Sequence, residues 1–247
     1  MEERNYSERE KDILANIKEY RRLIDEAVQK SGKAREVILL AATKTVDADT
    51  VNFAIREGGI THIGENKVQE LVDKYPLLEK DGVNIHFIGY LQTNKVKYII
   101  DKVSMIQSLD RLSLALEIDK RARAIGKVMD VLIEINVGRE ENKGGVMPED
   151  VYSFIDSIAH LKGIRIRGIM TMAPNCPEKS DYIRYFEETY KIFIDILTKK
   201  PHNIDVSYLS MGMSASVEPA LYCGSNMVRV GTGIFGKRNY PEKNENV

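Results

Sequence analysis

The chain contains no tryptophan and only two cysteines, Cys176 and Cys223, among its 247 residues. They lie far apart, and neither has a partner at metal-ligand spacing, so a disulfide framework and a zinc site are both unexpected. A reducing cytoplasm is then the natural compartment. An excess of charge is missing too. Thirty-six basic residues against 37 acidic ones leave a net charge of −1, which gives no electrostatic reason to expect nucleic acid or an anionic membrane as the main partner. A local phosphate site stays open, because one arginine and a few backbone amides suffice for it. No apolar run approaches the roughly 18 residues needed to span a membrane. The opening Met1-Glu2-Glu3-Arg4-Asn5 is charged and leads into a polar helix, so no signal peptide is expected.

What is present is an ordinary globular composition, 43% hydrophobic and 30% charged, sufficient for a substantial core. Residues from about Ser7 to Lys30 carry apolar side chains at helical spacing (Ile13, Leu14, Ile17, Tyr20, Leu23, Ile24, Ala27, Val28), and Ser31-Gly32 ends the pattern. Strands and helices then alternate. The strand candidates are Val37–Thr43, Thr61–Gly64, Ile85–Ile88, Ser104–Gln107, Val128–Val137, Ile164–Met170, Val206–Leu209 and Met227–Val230. Helices are expected over about Asp47–Glu57, Lys67–Lys74, Asn94–Asp101, Arg111–Ile125, Pro148–His160 and Lys179–Lys199.

Eight short apolar strands, mostly separated by single helices, imply a parallel sheet. In about 250 residues they fit a closed (β/α)8 barrel with an extra N-terminal helix better than an open doubly wound sheet. The open sheet usually carries a glycine-rich phosphate turn after its first strand, and here that turn is Thr43-Lys44-Thr45-Val46-Asp47. No linker or second domain is evident, so residues 1–247 read as a single barrel domain.

A barrel gathers its chemistry just after the strands. Lys44 follows the first strand, where partial burial would lower its pKa and make the amine nucleophilic, as Schiff-base chemistry requires. A lysine merely emerging into solvent is the alternative. Glu65 and Asn66 follow the second strand, and Glu65 is the main carboxyl candidate for acid/base work beside the lysine. Ser214 follows the seventh strand and Gly231-Thr232-Gly233 the eighth, a place where barrels often hold phosphate. Small residues admit the anion closely, and hydroxyls add donors. Arg229 either points into the barrel mouth or pairs with an interior carboxylate. His62 and His86 read as core histidines, and the charged runs on the helices as solvated faces. A nucleophilic lysine with a phosphate cup suggests a ligand bearing an aldehyde and a phosphate; pyridoxal phosphate is the obvious candidate, and a sugar-phosphate aldolase would use the same groups.

At these residues the sequence resembles the pyridoxal-phosphate homeostasis protein family. The segments that carry the resemblance are Leu40–Thr45, His62–Asn66 with Val68-Gln69-Glu70, His86–Gly89 with Leu91–Lys95, Gly168–Met172, Leu209–Ser214 and Val228–Gly236. They follow in order over almost the whole chain. The resemblance implies a single barrel like that of alanine racemase (the type III pyridoxal-phosphate fold), without that enzyme's second, β-rich domain. It implies that Lys44 forms the internal aldimine, that Asn66 lies beside the ring, and that Arg229 faces the pyridine nitrogen. Ser214, Gly231 and Thr232 would hold the phosphate. An arginine at that nitrogen keeps the ring unprotonated and makes it a poorer electron sink than a carboxylate partner would. Two departures from the family pattern bear on local loop geometry: glycine at Gly144 before Gly145, where serine is common, and Ser216 where an acidic residue is usual.

The resemblance further implies intracellular pyridoxal-phosphate homeostasis without established turnover, with pyridoxal-phosphate-dependent apoenzymes as partners. The lack of a second domain argues for a monomer over a racemase-like dimer. The alternative is an amino-acid racemase, which needs a proton donor and acceptor on opposite faces of the ring.

Overall fold

The computed structural model describes residues 6–31, 36–199 and 204–236. Helix α1 (Glu8–Ser31) precedes the first strand. There follow β1 (Ile38–Ala42), α2 (Ala48–Arg56), β2 (His62–Glu65), α3 (Val68–Lys74), β3 (Asn84–Phe87), β4 (Met105–Leu109), α4 (Leu112–Ala124) and β5 (Met129–Ile135). The remainder is α5 (Val151–Ile158), β6 (Ile164–Thr171), α6 (Asp181–Lys199), β7 (Ile204–Met213), α7 (Val217–Tyr222), β8 (Met227–Val230) and α8 (Thr232–Phe235). The eight strands close in chain order into a parallel barrel. The seam pairs β1 with β8, with Leu40 opposite Arg229 and Ala41 opposite Val230.

Side chains alternate across each strand, and burial sorts the two faces. Ala41, Ile63, Ile85, Phe87, Ile133 and Val230 join the large cluster shared with the helices. Leu40, Ala42, Ile88 and Met227 pack with one another inside the barrel, as do Met105, Leu132 and Met170. The parity assigns His62, His86, Glu134, Ser210 and Arg229 to the inner face. It assigns Thr43 and Glu65 to the outer one.

Local signals account for the helices. Asp47 caps α2 by accepting the N–H of Thr50, and Gly59 behind it takes a left-handed φ of 62°. Along α6, Tyr182, Phe186, Thr189, Phe193 and Ile196 recur at helical spacing and are buried. Fully burying an aromatic such as Phe186 contributes about 1.5–3 kcal/mol. Two expectations are corrected. The segment after β3 is a six-residue 3-10 helix, Thr93–Tyr98, and not an α-helix to Asp101; the buried Val96, with Ile99 and Ile100 just beyond it, anchors the segment. Helix α7, between β7 and β8, had no place in the sequence reading; its six residues are too few for periodicity to show.

No described helix is long and apolar enough to cross a membrane. Among the described residues no cluster of His, Cys, Asp or Glu could hold a metal ion, and Cys176 and Cys223 are both free.

Candidate functional site

The first strand runs out at Ala42, and the chain turns through Lys44 and Thr45 at the barrel mouth. Thr45 adopts φ 64°, a conformation costly for a residue with a branched Cβ. The turn is held from outside the barrel. The buried ammonium of Lys74 donates to the carbonyls of Thr43 (2.7 Å) and Val46 (2.9 Å). It also pairs with the carboxylates of Glu65 (2.6 Å) and Glu70 (2.9 Å). Glu70 in turn accepts the backbone N–H of Thr45, and the Thr43 hydroxyl donates to Glu65 at 2.6 Å.

This corrects two readings. Glu65 is fully buried on the outer face and serves the turn that carries Lys44, so it is no acid/base group in the mouth. Burial raises its pKa, against the pull of Lys74. Lys74 and Glu70 belong to this network and not to a solvated helix face. Strand parity decides the first, and it cannot be read from a four-residue strand, His-Ile-Gly-Glu, that shows no apolar alternation.

Lys44 is half-buried and lines a cavity of about 300 Å³ together with Ala42, Thr45, Gly231, Thr232 and Phe235. The lysine after β1 and the glycine-hydroxyl loop after β8 therefore meet, because the barrel closes between those strands. A side chain at Gly231 would place its Cβ 3.2 Å from the carbonyl of Ala42, so the loop hugs the first strand. Ser214 joins the same loop: its oxygen accepts the N–H of Gly233 at 3.1 Å and the hydroxyl of Thr232 at 3.4 Å. A serine hydroxyl has two acceptor positions and one donor. With both acceptors engaged, its O–H is left to donate. Ser216 accepts the N–H of Met213 at 3.1 Å, which fixes this turn without an acidic residue.

Arg229 lies two residues below Gly231 on the inner face and is buried. It donates to Ser210 Oγ at 2.6 Å and to the carbonyl of Thr171 at 2.8 Å. From Ser210 the chain of bonds continues to Gln107 Oε1 (2.7 Å) and from Gln107 Nε2 to His86 Nδ1 (2.9 Å). With the Gln107 amide oxygen toward Ser210, the serine donates to it, and the amide nitrogen donates to His86 Nδ1. Burial drops the His86 pKa to about 3, so the ring is neutral, a core histidine as expected. Burial also lowers Arg229 to about 10, still cationic at neutral pH, with the nearby Glu134 carboxyl opposing the shift. Arg229 is therefore on the inner face, bonded to Ser210 and the Thr171 carbonyl and near Glu134 without a direct ion pair to it.

Asn66 directly follows β2, and its Oδ1 is buried with no hydrogen-bond partner. Gly89 makes room for it: a Cβ there would lie 2.2 Å from the Asn66 carbonyl oxygen. Asn66 does not line the Lys44 cavity. In the loop after β5, Gly145 takes φ 111° and its Cβ would sit 2.6 Å from the Asn136 nitrogen, so glycine is required there. At Gly144 a Cβ would lie 3.2 Å from Asp110 Oδ2, close for a serine.

One contributor carried no chemical signal in the sequence. Tyr20 of α1 donates to the Ser214 carbonyl at 3.4 Å and seals the back of the α8 loop, where a Cβ on Gly233 would fall 2.1 Å from its hydroxyl. Nearby, Asn16 donates to the Ile234 carbonyl at 3.1 Å. Both lie on a helix whose apolar periodicity indicated packing alone.

The family model described as "Alanine racemase, N-terminal domain" matches residues 13–239. A "Pyridoxal phosphate homeostasis protein" of Aquifex aeolicus is 40% identical over 218 residues, 88% of this chain and 94% of that protein. A solved structure of an unknown protein from Bifidobacterium adolescentis is 32% identical with a TM-score of 0.86, covering 93% of this chain and 97% of that one. The structure of PipY from Synechococcus elongatus with PLP bound is 28% identical with a TM-score of 0.74, covering 86% of this chain and 100% of that one.

Proposed function

This chain belongs to the pyridoxal phosphate homeostasis protein family, within the alanine racemase N-terminal domain fold, and from that premise we propose that it binds pyridoxal 5'-phosphate covalently through Lys44 and acts as a carrier in the homeostasis of that cofactor. The observation that carries the proposal is the shared cavity of Lys44, Gly231 and Thr232. Its volume is at the lower end of ordinary small-ligand sites, about 300–1,000 Å³.

The donor set fits the cofactor. Its aldehyde calls for an amine, and Lys44 supplies one at the cavity wall. Its phosphate calls for hydrogen-bond donors on small residues, and the Ser214 O–H, the Thr232 hydroxyl once turned from Ser214 to the anion, and the backbone at Gly231 would supply them. Arg229 would take the side of the ring nitrogen and Asn66, with its unpartnered buried oxygen, the ring edge. When bound, the cofactor supplies a reactive aldehyde and an electron-withdrawing ring.

The residues of the chain do the rest. Lys74 and Glu70 hold the turn so that Lys44 reaches the cavity from a fixed base. Ser210 and the Thr171 carbonyl hold the Arg229 guanidinium in place. A cationic partner disfavours protonation of the ring nitrogen and so weakens carbanion chemistry, which suits holding and release more than turnover.

The test is stoichiometric loading of the purified chain with pyridoxal phosphate, followed by incubation with L-alanine in deuterated water. The carrier reading expects one cofactor per chain and no accumulating α-proton exchange. Sustained exchange or D-alanine over many turnovers would replace it with the racemase reading.

A further inference from the structure

A second cavity, of about 330 Å³, opens at the same end of the barrel on the side of β5, β6 and β7. Glu134, Asn136, Lys143, Met172, Pro174 and Met213 are among its walls. Glu134 is its most unusual member. The side chain is 6% exposed and projects from the inner face of β5, since Ile133 and Ile135 on either side belong to the outer cluster. A carboxylate at this depth ordinarily accepts several hydrogen bonds or pairs with a cation. The main-chain carbonyl of Glu134 accepts the Val146 N–H at 2.8 Å, but among the described residues its carboxylate has no hydrogen-bonded or ion-paired partner. The guanidinium of Arg229 acts on it only at a distance, because its near donors are turned to Ser210 and Thr171. Burial and the neighbouring Asp110 carboxylate push the Glu134 pKa up to about 7. Asn136 has no share in the vacancy, since its side chain is spent on the loop, bonding Glu140 N–H and carbonyl at 3.1 and 2.9 Å.

We propose that this cavity binds a primary ammonium group, with the Glu134 carboxylate as its anchor. An ammonium matches the vacancy in three respects. It brings the missing positive charge to a desolvated carboxylate, where a charge-assisted hydrogen bond is stronger than a neutral one. Its compact N–H donors fit one carboxylate, whereas a divalent metal would need several ligands, and the described residues hold no such cluster. The Met172, Pro174 and Met213 walls accept the alkyl chain that carries the nitrogen. Lys143 at the rim adds a partner for a carboxylate on the same ligand. Such a group could come from a free amino acid or amine, or from a lysine side chain of an acceptor protein. On the carrier reading, on which this meaning rests, the second cavity is where the amine that receives the cofactor docks, on the side of the mouth away from the phosphate loop.

The test begins with the cofactor-free chain, so that it stands apart from cofactor binding. Butylammonium is titrated by calorimetry into wild type, Glu134→Gln and Lys44→Ala, with n-butanol as the uncharged control. Saturable binding of butylammonium by wild type and Lys44→Ala, weakened about tenfold or more in Glu134→Gln and absent for n-butanol, is the expected result. Thermal melts of the isosteric glutamine variant confirm that it is folded. Equal affinity in wild type and Glu134→Gln, or no saturable binding to wild type, overturns the site. Parallel titrations with norvaline and with Nα-acetyl-lysine methylamide identify the source, the tighter of the two naming a free amino acid or a protein lysine. In the loaded chain, release of the cofactor should saturate with amine concentration in wild type and rise linearly in Glu134→Gln. A chain that takes up no cofactor but still binds butylammonium through Glu134 would sink the carrier reading and leave the ammonium site standing.

Discussion

The Lys74 ammonium donates to the main-chain carbonyl of Thr43 at 2.7 Å, one residue before the lysine on which the proposed function depends. A buried cation thus fixes the backbone from which Lys44 projects, while Glu65 and Glu70 neutralise it. Removing one member of such a buried set leaves uncompensated charge and costs about 3–5 kcal/mol. Lys74→Met is therefore expected to lower stability by about that amount in urea unfolding and to weaken cofactor binding. Adding Glu65→Gln removes the stranded carboxylate and should recover part of the stability. Recovery of stability without recovery of affinity marks Lys74 as a positioning residue; unchanged affinity in Lys74→Met would remove that role.

The phosphate loop makes a separate prediction. Thr232 lines the cavity and Ser214 is bonded to the same loop, so their loss leaves no fully buried partner stranded. The Ser214→Ala/Thr232→Ala double variant should melt close to wild type while its cofactor affinity falls about a hundredfold, the loss of two charge-assisted hydrogen bonds. Unchanged affinity in equilibrium dialysis would count against the cup.

Gly233 tests the part played by α1. A Cβ at this position would overlap the Tyr20 hydroxyl, and overpacking of this kind costs about 1–3 kcal/mol. Gly233→Ala should destabilise the chain in an otherwise wild-type background and much less alongside Tyr20→Ala. A double-mutant cycle with no coupling would show that α1 does not support the loop.

Two buried titrations oppose each other in acid. His86 is neutral in the fold down to about pH 3 against an ordinary value of 6.5. The unfolded chain therefore binds the extra proton first, and stability is lost as pH falls from about 6.5 toward 3. Glu134 is raised from 4.5 to about 7. Here the fold binds the extra proton, so stability is gained as pH falls from about 7 toward 4.5. Glu134→Gln should accordingly be more stable than wild type at pH 8, by an amount of order 3 kcal/mol at most, and should lose that advantage by pH 4.5. Urea midpoints at the two pH values check this; a pH-independent difference would remove Glu134 from the account.

Much of this was legible in the sequence because two signals agreed. Apolar runs such as Ile38–Ala42 mark buried parallel strands, and their count fixed a barrel whose mouth collects Lys44, Ser214, Gly231 and Thr232. What stayed hidden depends on parity and on distance. Glu65 and Asn66 are neighbours, yet the first faces the helices and the second follows the strand at the barrel mouth. Both faces of β2 are buried, and nothing local separates them. Lys74 and Tyr20 look like an ordinary surface lysine and an ordinary packing residue until closure of the barrel brings a loop or turn against each. Glu134 lay inside the longest strand candidate, Val128–Val137, where only the structure reveals that its carboxylate has no partner.

The most direct test of the account is chemical. The purified chain is loaded with pyridoxal phosphate, reduced with borohydride, digested and mapped by mass. The account predicts one pyridoxyl group per chain, on the peptide containing Lys44, and its loss in Lys44→Ala. A reduced adduct on a different lysine, or one that persists undiminished in Lys44→Ala, would contradict it.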